Sequence, residues 1–250
     1  MALTLGSARA YTSTSGSTGA PIMSSASGSG SPLSSSVAHE LVTKRHLAPE
    51  LAQLIQGKPA YGWAYRLPGD VFFHVVNAHI GHSNMLTSDP MMKVDSVDPV
   101  GVRRFPLERD RRPAIVFRFK NAKIAFRAAK IAEEWANTAR MHGYDQDGVG
   151  YSDHARGAGV TGRVIGALIG SGKFGTGAQA RLMKYHNRTG MKPKNVICSE
   201  MVILAYQLAM AETDDGFIRL DAKYSLPSTL FRYFVANPND WSVVAHRNYI

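Results

Sequence analysis

Cysteine is nearly absent from this sequence, because Cys198 is the only one in 250 residues. A single cysteine excludes an internal disulfide framework and any zinc site made of several cysteines. Long apolar runs are also missing: none approaches the ~18–20 residues of a membrane-spanning helix, so we expect no transmembrane segment. If the thiol is a nucleophile, it favours a reducing compartment, which indicates a cytosol, whether that of the producing cell or of a target cell.

Acidic residues are scarce relative to basic ones: 19 Asp and Glu stand against 29 Lys and Arg, for a formal net charge of +10. A chain of this charge is attracted to acidic protein faces, anionic membrane surfaces or nucleic acid. The hydrophobic fraction of 44% allows one domain with a substantial core, with or without a tail.

Residues 1–36 are rich in Ser, Gly, Thr and Ala, with Arg9 as their only charge and no apolar stretch like that of a secretory signal peptide. Such a segment cannot offset its chain entropy by burial, so we predict a disordered leader. Ser-rich, acid-poor N-termini occur on transit peptides and on substrates of specialised bacterial secretion machines, and a plain flexible tail is the alternative. Residues 37–60 form a predicted helical linker, broken by Pro49, that packs against the domain at 61–250.

Four stretches have the β-branched, aromatic or alternating composition of strands. Neighbouring strands of this kind predict an antiparallel sheet. They are Val71–Val76, Ile80–Thr87, Met91–Asp98 and Ile115–Lys120.

An arginine-rich segment, residues 102–112, separates the third and fourth of these stretches. Arginine forms bidentate pairs with phosphate, so the segment is a candidate phosphate or acidic-surface patch. A solvated hairpin loop explains it equally well. Because two acidic residues interrupt the segment, we do not expect nucleic-acid binding.

Asn121 to Met141 has the apolar periodicity of a long helix, which ends before Gly143. A Gly-rich, weakly patterned insertion follows at about residues 148–190. Its Gly170–Gly175 matches a GxGxxG pattern by letters, but no strand precedes it and no suitably placed acidic residue follows. We therefore interpret the insertion as a mobile loop that could cover a site.

Cys198 follows Pro193 and opens a helical pattern that includes Met201 and Val202. A helix N-terminus favours a thiolate and lowers the thiol pKa, which makes Cys198 a candidate nucleophile. The alternative is a buried cysteine that acts as a small apolar residue.

Taken in order, these pieces resemble the circularly permuted papain-like cysteine enzymes of the NlpC type. The resemblance covers roughly residues 61–248 and implies an α+β, permuted papain-like fold: an antiparallel sheet packs against helices, and the nucleophile lies at a helix N-terminus. The matching pieces are Gly69–Phe72, Gly81–Met85, Asp95, Gly143–Asp145, Ile197–Val202, Tyr206, Pro227, Leu230, Trp241 and Val243–Val244.

Carried onto this chain, the resemblance implies a catalytic triad of Cys198 as nucleophile, His82 as base and Asp95 as the group that orients the imidazole. His82 is followed by Ser-Asn rather than by apolar residues, so His79 is an alternative base. Asp98 competes with Asp95 for the orienting role. The chemistry needs no cofactor and no metal, and the Cys198 backbone N–H would contribute to an oxyanion hole.

Three classes of function follow from these residues. The first is a thiol hydrolase that cleaves an amide or ester as a peptidase, amidase or deamidase. The second is an acyltransferase similar to the lecithin:retinol acyltransferases and the Rho-inactivating toxin domains, which pass an acyl group from cysteine to lipid or lysine. The third is a non-catalytic basic binding module. The expected partners are accordingly a protein, peptide or acyl-lipid substrate, and an acidic protein or anionic membrane surface.

The Ser-rich leader adds a hypothesis about location. We expect a bacterial virulence effector, secreted by a non-classical system and active in a target-cell cytosol. Unchanged export after deletion of residues 2–36 would count against this hypothesis.

Overall fold

The structure, a computed structural model, describes residues 49–76, 79–141, 149–152, 172–188 and 191–247. The predicted leader at 1–36 lies outside these residues. So does about half of the Gly-rich insertion that is interpreted as a cover over the site, namely residues 148, 153–171 and 189–190.

Eight strands lie in the described residues, and six of them form one antiparallel sheet. The strands are β1 (Val71–Val76), β2 (His79–Leu86), β3 (Met92–Val97), β4 (Gly101–Pro106), β5 (Ala114–Phe119), β6 (Gly150–Tyr151), β7 (Asn195–Val196) and β8 (Trp241–Arg247). The order in the sheet is β4–β3–β2–β1–β5–β8, while β6 and β7 form a short parallel pair. The predicted antiparallel sheet is confirmed.

Five α-helices accompany the sheet in the described part of the chain, so the α+β class is confirmed as well. They are α1 (Pro49–Ile55), α2 (Ala122–Met141), α3 (Thr176–His186), α4 (Cys198–Ala209) and α5 (Pro227–Ala236). In the predicted linker, α1 begins at Pro49, where proline is tolerated because the first turn needs no N–H donor. Its Leu51, Ala52 and Ile55 join the main core.

Both faces of the sheet are covered, because side chains alternate between them along each strand. Phe73 on β1 belongs to the main core, which also contains apolar residues of all five helices. Its neighbour Phe72 points the other way, into a smaller cluster with Tyr61, Leu86 and Leu107.

Helix α4 runs through the main core, and all of its residues from Cys198 to Ala209 are buried. A helix that is apolar nearly all round is stable only in such a position. The few polar groups are satisfied: the Tyr206 hydroxyl donates to the Gly69 carbonyl at 2.8 Å, and the Gln207 amide donates to the Ile218 and Leu220 carbonyls, each at 2.8 Å. The residue at the start of α4 is therefore held by a rigid element.

The interpretation of residues 102–112 as a solvated hairpin loop is wrong for the first half of the segment. Gly101–Pro106 form β4 and pair with β3, with Asp95 opposite Arg103. Val102 is fully buried while Arg103 is exposed, the alternation expected of an edge strand with one covered face. Only the second half, from the 3-10 turn Leu107–Arg109 onward, is a loop.

Helix α3 lies inside the insertion, where the sequence predicted no helix. Only Ala178 and Leu182 of α3 are buried, and two apolar positions one turn apart are too few to produce a recognisable helical period.

Gly69, in the turn before β1, is the position where the fold depends most clearly on glycine. Its φ is +85°, and a Cβ there would lie 2.5 Å from the Ala125 carbonyl oxygen. We expect Gly69→Ala to lower the free energy of unfolding by about 2–4 kcal/mol through strain and overlap, measured by urea denaturation. Gly62→Ala is the control, because Gly62 has φ −98° and a Cβ at that position would meet no atom within 4 Å. Equal losses in the two variants would contradict the prediction.

Candidate active site

Cys198 is the first residue of α4 and is only 8% exposed. The chain reaches it through β7 and an extended Ile197, whose N–H donates to the Glu200 carboxylate at 3.4 Å. The Ser96 hydroxyl on β3 donates to the Val196 carbonyl at 2.8 Å. This bond fixes the start of α4 against the sheet strand that also carries Asp95.

His82 and Asp95 lie on neighbouring strands where those strands no longer pair. The β2–β3 pairing is confined to Met85 with Val94 and Leu86 with Lys93. Beyond it, His82 Nε2 and Asp95 Oδ1 are 2.6 Å apart. Asp95 is fully buried and the His82 side chain is 15% exposed, so the imidazole bridges the interior and the surface.

The imidazole of His82 also acts on the Cys198 thiol, because each group's hydrogen bonding and charge shift the pKa of the other. Because Asp95 occupies Nε2, Nδ1 is the nitrogen left for the sulfur. The Ser83 backbone also favours the charged form of this sulfur and lowers the pKa of the thiol. The structure thus brings the three residues predicted as a triad together at one site, with His82 hydrogen-bonded to Asp95 and acting on the Cys198 thiol.

The pKa of Cys198 is lowered and the pKa of His82 is raised, so each shift favours the charged form of its own group. Burial raises the pKa of the Cys198 thiol, but the hydrogen bond and charge of His82, together with the Ser83 N–H, outweigh it and lower that pKa. Burial lowers the pKa of His82, but its hydrogen bonds to Asp95 and Cys198 and their charges raise it to about 9. Both shifts favour the ion pair of a thiolate and an imidazolium over the neutral pair of thiol and imidazole.

Asp95 remains a carboxylate despite its burial. Burial raises its pKa, but the hydrogen bond and charge of His82 and the charges of Arg112 and Lys93 outweigh burial and lower it. Arg112 Nη2 donates to Asp95 Oδ2 at 3.3 Å. One carboxylate oxygen therefore orients the imidazole while the other contacts a guanidinium.

A second group of buried polar residues extends from Arg112. Its guanidinium donates to both oxygens of Asp110 at 2.9 Å, and the fully buried Lys93 ammonium donates to Asp110 as well. His74 lies 3.4 Å from Asp110, and burial together with the Lys93 and Arg112 charges lowers its pKa to about 3. His74 is therefore neutral at physiological pH, and the charges that act on Asp95 come from His82, Arg112 and Lys93.

The two alternative residues lie elsewhere. His79 is exposed at the start of β2, and Asp98 is exposed in the turn after β3. Neither is among the groups that act on Cys198. The hydrogen-bonded pair is formed by His82 and Asp95.

Sequence reasoning missed Lys93, Arg112 and the Ser83 N–H. A signal for Lys93 was present, because residues two apart on a strand share a face and Lys93 therefore lies on the side of Asp95. Arg112 belongs to an arginine-rich segment, and nothing local in the sequence shows that its side chain reaches Asp95 on β3. A backbone N–H such as that of Ser83 carries no sequence signal at all.

The arrangement can perform thiol chemistry on a carbonyl group. The thiolate is a nucleophile, and the Cys198 N–H, in the first turn of α4 where N–H groups have no intrahelical acceptor, can donate to an oxyanion. Within the described ranges, no three His, Cys, Asp or Glu residues gather as metal ligands would.

Comparisons with protein-family models, curated proteins and solved structures give no match for this chain. In the described part of the chain, no helix combines the length and apolar character needed to cross a bilayer.

Proposed function

We propose that this protein is a cysteine hydrolase of permuted papain-like architecture that cleaves an amide or ester bond. The observation that carries the proposal is the 2.6 Å contact between His82 Nε2 and Asp95 Oδ1, formed by the same imidazole that lowers the pKa of the Cys198 thiol. A buried cysteine that served only as a small apolar residue would not require a base and a buried carboxylate in line with it.

The order of the elements also supports the architecture. The strands that carry the base and the orienting carboxylate come first, and the helix that begins with the nucleophile follows much later. This is the order of the permuted papain-like enzymes that the sequence resembles.

In the first half of the reaction, the Cys198 thiolate attacks the substrate carbonyl carbon, and the carbonyl oxygen becomes an oxyanion bonded to the Cys198 N–H. The His82 imidazolium then donates its proton to the leaving nitrogen or oxygen. The bond to the leaving group breaks, and a thioester remains on Cys198.

In the second half, neutral His82 removes a proton from water, whose oxygen attacks the thioester. A carboxylic acid leaves, and the thiolate and imidazolium form again. Throughout, Asp95 holds the imidazole so that Nδ1 faces the sulfur and stabilises its charged form.

Oxygen-18 labelling tests this proposal with any substrate that a complex mixture contains. Wild-type protein and Cys198→Ala are each incubated in oxygen-18 water with bacterial lysate, mammalian lysate or purified cell-wall fragments. We expect new carboxyl groups that carry the label in the wild-type samples alone, and mass mapping of the products shows whether a chain was cut or an amide deamidated.

Other outcomes of the labelling experiment contradict hydrolysis in different ways. Unlabelled acyl groups that appear on lysines or lipids only with the wild-type protein would show acyl transfer instead. Identical products from both proteins in every sample would favour the binding module.

A further inference from the structure

A cavity of about 460 Å³ lies beside the candidate triad, between the edge of the sheet and the loop that follows β4. Its lining includes Arg103, Arg109, Arg111 and Arg112, together with Asp95 and Asp110. We call it the arginine cavity. Its size falls in the range of about 300–1,000 Å³ that is typical of small-molecule sites.

The charges around the arginine cavity do not cancel. Both carboxylates are already engaged, because Asp110 pairs with Lys93 and Arg112, and Asp95 pairs with His82 and Arg112. The nearby Glu108 instead pairs with Arg66 and Arg247.

Arg103, Arg109 and Arg111 are exposed, and none pairs with a carboxylate of the described residues. Three like charges around one small cavity repel one another, so they favour a ligand that brings several negative charges close together. Phosphate groups meet this requirement, because guanidinium donors bind their oxygens in bidentate pairs.

We propose that the arginine cavity binds a small molecule with two or more phosphate groups, held by Arg103, Arg109 and Arg111. Binding of this ligand changes the electrostatic environment of His82 through Arg112 and Asp95. The path is short. Arg112 lines the cavity and donates to Asp95 Oδ2 at 3.3 Å, and Asp95 Oδ1 is 2.6 Å from His82 Nε2. A bound anion competes for the Arg112 guanidinium and so changes the field that Asp95 and His82 experience.

Calorimetric titration with inorganic tripolyphosphate tests the binding step. We expect saturable binding to the wild-type chain and at least ~10-fold weaker binding to the double variant Arg109→Ala with Arg111→Ala, since each charge-assisted contact is lost. The matched control is Arg127→Ala with Arg188→Ala, which removes the same charge from two exposed arginines outside the cavity. Equal weakening in the two double variants would show that tripolyphosphate binds only through non-specific attraction to a basic protein, and it would overturn the proposal.

Two further measurements test the ligand class and the path. In protein with isotope-labelled histidine, tripolyphosphate should change the NMR chemical shift of the imidazole resonance that His82→Ala removes. An unchanged chemical shift would overturn the link through Arg112.

A short peptide of Asp and Glu should bind more weakly than tripolyphosphate. Tighter binding of the peptide would replace the phosphate ligand with an acidic protein face. Neither readout requires catalysis, so the binding site and the hydrolase proposal can fail separately.

Discussion

His82→Ala is expected to slow the alkylation of Cys198 by iodoacetamide at pH 6 by roughly 100-fold. Without the imidazole, the main influence left on the thiol is burial, which raises its pKa. Only the thiolate reacts with iodoacetamide, so the rate at a fixed acidic pH follows the fraction of deprotonated sulfur. Because Cys198 is the only cysteine, every alkylation event measured by intact mass reports on this one group.

The pH profile gives the sign of the effect. In the wild-type protein, the lowered thiol pKa places the rise in alkylation rate at lower pH than in a free thiol. In His82→Ala the rise should move to higher pH, while the limiting rate at alkaline pH stays similar. His79→Ala is the control, because it removes an exposed histidine from the same strand. If the two variants gave the same profile as the wild type, Cys198 and His82 would not form an ion pair.

Asp95→Asn should lower kcat/KM for the substrate identified by oxygen-18 labelling by about 100- to 10,000-fold. An amide at this position can donate to Nε2 and so stabilise the tautomer whose proton is on Nδ1, where it can no longer accept one. The substitution also removes the negative charge that helps hold the pKa of His82 at about 9. In the proposed mechanism Asp95 acts through His82 rather than on the substrate, as a positioning residue.

A structural defect alone would not reproduce the full result for Asp95→Asn. The alkylation profile of Cys198 should also shift to higher pH, because a weaker imidazolium stabilises the thiolate less. Asp98→Asn makes the same chemical change three residues later, at an exposed turn position, and should leave both measurements unchanged. Loss of activity in Asp95→Asn with an unshifted alkylation profile would show damage to the fold instead of loss of orientation.

Local patterns were sufficient for most of the sheet and for the helix that begins with Cys198. The strands β1 and β5 are dense in β-branched and aromatic residues, and a helix that opens after an extended, proline-containing approach is visible from spacing. These features depend on residues close together in the chain, which is why a sequence can show them.

The choice between His79 and His82 depended on information that the sequence does not contain. The β1–β2 register shifts between His74 and Val75, so simple alternation along β2 does not tell which side chains share a face. His82 then lies opposite His74, next to the place where β2 leaves β3. Similarly, Arg112 reaches Asp95 only because the loop after β4 folds back across the sheet edge. This contact depends on the tertiary fold, and no neighbouring residues in the sequence indicate it.

The hydrogen bond from Tyr206 to the Gly69 carbonyl joins positions 137 residues apart, and that from Ser96 to the Val196 carbonyl joins positions 100 apart. Contacts of this separation carry a large loop-closure entropy and form late. During synthesis on a ribosome, the strands with His82 and Asp95 emerge well before the helix that begins with Cys198. The nascent chain can therefore pair strands β1 to β5 while it still has no cysteine, and Cys198 meets His82 only after those strands have been made.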